Sequence, residues 1–187
     1  MKNKKARLYG ALLPIAILMA AAGAAILFLL PDGLKAVNEG SKGYGPFDMH
    51  FSYTPDNLMT ILSHFKGNKQ EVFSSYFLLD YIFAGLCFPL MLILPLFIYS
   101  FSDRFYLLFR ASVFSALFYE VFNAAENILL MRMINVSPVF TDSDATFSSR
   151  CTTIKWIFLV IWIVSVFLFA VTTAVSVNLK PKARRFK

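Results

Sequence analysis

Tyr119-Glu120-Val121-Phe122-Asn123-Ala124-Ala125-Glu126-Asn127 places two carboxyls and two carboxamides inside a largely apolar run from Phe105 to Ile134. At about 100° per residue, Glu120, Asn123, Glu126 and Asn127 fall within roughly a 120° arc, so a helix here has one polar face. An ionisable side chain at mid-bilayer costs about 2.5–3.5 kcal/mol on insertion scales, and the usual remedy is to turn it towards partners inside a bundle. The stretch therefore predicts a membrane-spanning helix whose polar face meets groups supplied by the rest of the chain.

Composition agrees with that reading. Of 187 residues, 58% are hydrophobic and only 16% charged, and the mean hydropathy is +0.62; soluble domains run near 45–50% apolar and about 25% charged. The net charge of +7 would suggest nucleic acid in a soluble chain. Here the basic residues gather at the two ends and in one short connection, which is a topology signal and excludes a nucleic-acid footprint.

Outward from the central stretch, apolar runs predict a single all-α integral membrane domain over 1–187, with spans at about 8–30, 72–99, 105–134 and 151–177. The first run follows Met-Lys-Asn-Lys-Lys-Ala-Arg and is longer than the roughly 7–15-residue core of a secretory signal, so a span is expected rather than a cleaved leader. Ala20, Ala21, Gly23, Ala24 and Ala25 offer small-xxx-small spacings that let another helix approach closely. Asn68-Lys-Gln-Glu71 has the form of a capping box ahead of the second span, which contains Pro89 and Pro95.

In the long first loop, Thr54-Pro55-Asp56-Asn57 has the form of a helix start, with Leu58, Ile61, Leu62 and Phe65 following at i, i+3, i+4 and i+7. That pattern predicts a short amphipathic helix over about 55–66, ended by Gly67, lying in the interface or folded over the bundle mouth. The loop also carries His50 and His64, too few ligands for a zinc site, and no metal or other cofactor is expected. Lysine and arginine beside the spans put the N-terminus, the 100–104 connection and the C-terminal Lys-Pro-Lys-Ala-Arg-Arg-Phe-Lys on the cytoplasmic side of a cell membrane.

With that topology, a rise of 1.5 Å per residue sets the depth of each polar group. Asp80 on the second span and Glu126 on the third lie roughly 10 Å in, and Lys155 on the fourth roughly 7–8 Å in, so the three are expected to meet. Glu120 should lie deeper, about 20 Å from the outer end. The acids outnumber the lysine, which calls for a retained proton or for a cationic or hydrogen-bonding ligand. The expected ligand-lining set is Asp80, Asn123, Glu126, Asn127, Lys155 and Trp156. If the site is catalytic, Glu120 and Glu126 are the candidate acid/base groups.

There is no CxxC, GxSxG, HExxH or phosphate-binding glycine loop, so hydrolase and nucleotide-dependent readings lack their residues. Three readings stay open. One is binding or transfer of a lipid-like molecule with a polar head in an outward-opening pocket. The second is acid/base chemistry on such a molecule. The third is a structural or accessory subunit, with a membrane partner, whose polar groups only lock helices together.

Tyr53-Thr-Pro-Asp-Asn, Leu79-Asp80-Tyr81 with Pro89 after it, Glu126-Asn127-Ile-Leu-Leu130 and Thr153-Ile-Lys155-Trp156 together resemble a family of uncharacterised bacterial four-span membrane proteins. The resemblance covers most of the chain and implies the topology and the choice of polar residues, with no activity attached. More distantly, the layout is similar to the EXPERA superfamily of sterol isomerases and sigma-2-type receptors. There a first-loop helix precedes an acid-bearing second span, and acids line a lipid-accessible cavity. This chain has no acid in its first span and lacks the isomerases' histidine and tryptophan pattern, so the likeness carries over Asp80 alone, as a pocket carboxylate.

Overall fold

A computed structural model describes residues 2–65, 67–102, 104–136 and 140–178. The C-terminal basic run beyond 178 and Lys66, at the end of the expected loop helix, lie outside the described residues. Among the described residues six α-helices follow in order: α1 (Lys2–Leu29), α2 (Ala36–Gly40), α3 (Pro55–Ser63), α4 (Lys69–Phe101), α5 (Tyr106–Val136) and α6 (Asp142–Asn178). No strand occurs among the described residues. Four of these helices, over Lys4–Leu29, Lys69–Phe101, Tyr106–Asn135 and Asp142–Ser176, are long and apolar enough to cross a bilayer. The least apolar of the four is the one that carries the Tyr119–Asn127 stretch.

The exterior of the bundle is apolar, as a lipid-facing surface must be. Leu18, Leu78, Leu107, Val121, Ile128 and Phe167 are between 61 and 78% exposed, far more apolar surface than a water-facing bundle tolerates. The chain is a multi-pass helical membrane protein.

Its long helices run up and down. The end of α1, the start of α4, the end of α5 and the start of α6 share one core, through Leu27, Phe73, Tyr76, Leu130, Met133, Ile134 and Ala145. At the opposite end Ile98, Val166 and Phe169 pack with Phe105, Leu108 and Phe109. α5 packs along α6 and α4, while α1 lies along α4. The small residues of α1 permit that approach: a Cβ on Gly23 would stand 3.1 Å from Leu86 Cβ and 3.3 Å from the Phe83 backbone, which is why the two helices meet at this glycine.

α4 runs unbroken through Pro89 and Pro95. A proline removes the N–H that would bond the carbonyl four residues earlier, and in a bilayer that carbonyl has no water to turn to. For Pro95 the freed acceptor is Met91, and Trp162 of α6 donates its indole N–H to the Met91 oxygen at 3.0 Å. Trp162 thus supplies the donor that Pro95 withholds from its neighbouring helix.

The connection from α1 to α4 is more ordered than its polar composition suggests. A π-helical turn over Pro31–Lys35 leads into α2, and a 3-10 turn covers Phe47–Met49. Thr54 Oγ1 accepts the Asn57 N–H at 3.2 Å and Pro55 opens α3, the cap expected from the sequence. Leu58, Ile61, Leu62 and Phe65 are all buried, packed with Phe47, Phe73 and Tyr76 in the core at that end of the bundle. The segment is therefore folded over the bundle mouth as a lid. α3 stops at Ser63, and Gly67 sits beyond it in the left-handed region at φ +89°. The expected capping box ahead of α4 is not formed: Asn68 makes no side-chain cap, its ψ of 12° having left the extended conformation a cap requires.

Candidate functional site

α5 turns one stripe inward, marked by the buried Ser112, Ser115, Ala116, Asn123, Asn127, Leu130, Met133 and Ile134. Glu126 lies within roughly 40° of the middle of that stripe and is fully buried, whereas Glu120 is roughly 80° to the other side and only half-buried. All four polar groups occupy one arc, but the burial is not shared equally. On α6 the spacing of Ala145, Ser148, Thr152 and Lys155 repeats every three or four residues, and all four are buried against α5 or the lid.

Lys155 is the centre of the resulting cluster. Its Nζ stands 2.6 Å from Glu126 Oε2, donates to Asn123 Oδ1 at 3.1 Å, and lies 3.9 Å from Asp48 Oδ2. Glu126 Oε1 accepts a hydrogen bond from the Thr152 hydroxyl. Asp80 enters indirectly: its Oδ2 accepts from Asn127 Nδ2 at 2.7 Å and from Asn123 Nδ2 at 3.2 Å. Asn123 therefore bridges the Lys155 ammonium to the Asp80 carboxylate. Glu120 makes no hydrogen bond to the cluster, and one of its oxygens, Oε1, is buried without a partner among the described residues. Trp156 turns to the lid, donating its indole N–H to the Asp48 carbonyl at 3.2 Å.

Asp48 is the member that periodicity could not find. It sits in the 3-10 turn of the first loop, and Tyr76 of α4 donates its hydroxyl to both carboxyl oxygens, at 3.0 and 2.9 Å. The only hint in the sequence is an acid set between Pro46-Phe47 and Met49, an apolar context for a loop carboxyl. Tyr53 and Tyr76 likewise carry no periodic signal that marks them as site residues, whereas Ser148 and Thr152 follow from extending the Lys155 face of α6 upward by helical turns.

The lid is stitched to α6 along its length. Tyr53 gives its backbone N–H to Ser149 Oγ at 2.9 Å and its hydroxyl to Ser148 Oγ at 2.6 Å, and Thr153 Oγ1 donates to the Phe51 carbonyl at 3.0 Å. These bonds satisfy irregular backbone that is buried against the bundle. Under them the cluster is shut off from water: Asp48, Asp80, Asn123, Glu126, Asn127 and Lys155 are each at most 5% exposed.

Three carboxyls and one ammonium thus share a buried volume between α4, α5, α6 and the lid. No group of three or more His, Cys, Asp or Glu side chains arranged to hold a metal ion occurs among the described residues. Fold and site together define a multi-pass helical membrane protein with a lidded, acid-rich polar cluster in the half of the bundle nearer the lid. The chain matches no protein-family model, no curated protein and no solved structure.

Removing the cation from such a cluster strands its acids. Lys155→Met is expected to destabilise the protein in detergent by about 3–5 kcal/mol, and Glu126→Gln in the same chain to recover part of that loss. In double-mutant cycles on thermal unfolding the Lys155–Glu126 pair should couple strongly and the Lys155–Asp80 pair less, since Asn123 stands between them. Additive effects for Lys155 and Glu126 would contradict the contact.

Asp48 lies outside the spans, and burial raises its carboxyl from 3.8 to about 6, with Asp80 adding to the rise and the Lys155 ammonium and the Tyr76 hydroxyl opposing it. Glu126 of α5 is the remaining charge beside Lys155. A carboxyl that holds its proton more tightly when folded contributes stability fully below pH about 4 and loses it as pH rises through about 6, a change of up to about 3 kcal/mol for this shift. Asp48→Asn should remove that slope. The melting temperature of the variant relative to the parent is expected to rise between pH 4 and 6, and a constant difference across the window would show that Asp48 does not titrate there.

Proposed function

We propose that the protein binds a hydrophobic molecule with a cationic or hydrogen-bond-donating head, the head replacing the missing positive charge among Asp48, Asp80 and Glu126. The observation that carries this reading is the excess of three buried carboxyls over one ammonium, Lys155. A second feature agrees with it. Asn127 Oδ1 is fully buried and has no donor among the described residues, an unmet acceptor of the kind a ligand N–H or O–H would satisfy. Access is outward, by lifting of the 44–53 segment away from α6, with the tail lying along the apolar bundle. The distant likeness to EXPERA proteins through Asp80 is in keeping with such a site.

The same proposal sets the orientation. Lys2, Lys4, Lys5, Arg7, Arg104 and Arg110 lie at the end of the bundle opposite the lid, and basic residues beside spans favour the cytoplasm. The lid then faces outward from the cell membrane. In intact cells, with Cys87 and Cys151 replaced, a cysteine at position 44 should react with an impermeant maleimide and one at position 102 should not; the reverse pattern would invert the orientation.

For the ligand, thermal unfolding in mild detergent separates the readings. A long-chain alkylamine should raise the melting temperature of the parent, a fatty acid of the same length should not, and the gain should disappear in Asp80→Asn and Glu126→Gln. Equal responses to amine and acid, or a gain that survives both substitutions, would leave the cluster a purely structural lock between helices.

A further inference from the structure

The flank between α4 and α5 holds polar groups that the Lys155 cluster does not use. The two helices run antiparallel, the start of α4 packing with the end of α5. Asp80 of α4 meets Asn123 and Asn127, and the Tyr81 hydroxyl lies 3.5 Å from the Ala124 carbonyl. At about 100° per residue Glu120 projects from α5 between the directions of Ala124 and Asn127, both of which touch α4. Gly85 follows Tyr81 by one turn of α4, and Glu120 precedes Ala124 by one turn of α5. The two are therefore level with each other, about 6 Å along the bundle from the Tyr81–Ala124 contact. They also lie at mid-span: Gly85 is roughly 24 Å from either end of α4, and Glu120 roughly 21 and 24 Å from the ends of α5. That depth is the same whichever end of the bundle faces the cytoplasm.

Two acceptors on this flank lack donors. Glu120 Oε1 is buried with no hydrogen-bond partner among the described residues. Pro89 withholds the N–H that would bond the Gly85 carbonyl. No side chain among the described residues donates to that carbonyl, whereas Trp162 meets the Met91 carbonyl freed by Pro95. Gly85 is exposed, and a Cβ on it would have no atom within 4 Å, so the flank is open beside it. Tyr81, Leu117 and Val121, also exposed, border the opening. Acyl chains have no donor to give these groups, and a charge at this depth is costly whichever molecule carries it. We propose that the α4–α5 flank binds a lipid-dissolved molecule through a neutral group with two hydrogen-bond donors, of the primary-amide kind. One N–H goes to Glu120 and the other to the Gly85 carbonyl, and the tail lies among the acyl chains. This site is separate from the Lys155 cluster and does not rest on the cationic ligand proposed for it.

The test is photolabelling of the full chain in phosphatidylcholine nanodiscs with a long-chain primary amide that carries a diazirine on its tail, the adducts being mapped by mass spectrometry. Labels are expected on the facing turns of α4 and α5 around Gly85 and Glu120. An unlabelled primary amide of the same length should compete, and the corresponding methyl ester, which has no donor, should not. Gly85→Leu puts a helix-favouring side chain into the open space, so its melting temperature should match or exceed that of the parent while it blocks the site. Labelling in Gly85→Leu is expected to fall about tenfold, and in Glu120→Leu by a similar factor for the lost hydrogen bond. Asp80→Asn, which should abolish the response to an alkylamine, is expected to leave amide labelling intact, so the two sites can fail independently. Equal competition by the ester, labelling at the parent level in Gly85→Leu, or adducts confined to other parts of the chain would overturn the proposal.

Discussion

An ammonium buried among apolar helices has to be neutralised on the spot, and the pairing of Lys155 with Glu126 at 2.6 Å is the contact on which the rest of this structure depends. It fixes the rotation of α5 and α6 about their axes, because only one face of each carries the required group. Asn123 then extends the pairing to Asp80 and so brings α4 into register. Apolar packing alone gives helices little preference among rotations in lipid, since tails and side chains are equally apolar. Polar groups that must meet remove that freedom.

The lid follows from the same constraint. A cluster near one end of the bundle lies within reach of water, and leaving it open would place its lysine and acids in a wetter, weaker field. The first loop covers it with a buried apolar stripe on α3 and with Asp48, whose carboxyl is held by Tyr76 and whose carbonyl is held by Trp156. Because loop backbone at that position cannot rely on water, side chains of α6 supply the partners, Ser149 for the Tyr53 N–H and Thr153 for the Phe51 carbonyl. α1 contributes none of these polar groups and is attached instead through close backbone approach to α4 at Gly23. The molecule thus divides into a three-helix unit with its lid, which carries the chemistry, and a helix packed beside it.

What the sequence determined by itself is what depends on local pattern. Length and hydropathy marked four spans, a cap and i/i+3/i+4/i+7 spacing marked the loop helix, and helical rise placed Asp80, Glu126 and Lys155 at similar depth. These readings need only the geometry of one helix at a time. The equal depths could not say which groups touch. They implied direct sharing among the three, whereas Asn123 stands between Lys155 and Asp80, because depth along a helix axis says nothing of the distance across a bundle. Nor could an arc of side chains reveal where its centre faces, so Glu120 and Glu126 shared the candidate acid/base role although α5 turns Glu120 to the edge. The tertiary structure alone decided that Asp48 joins the site: a loop residue has no period to betray its position, and its place beside Tyr76 and Lys155 exists only once the lid has folded back across three helices.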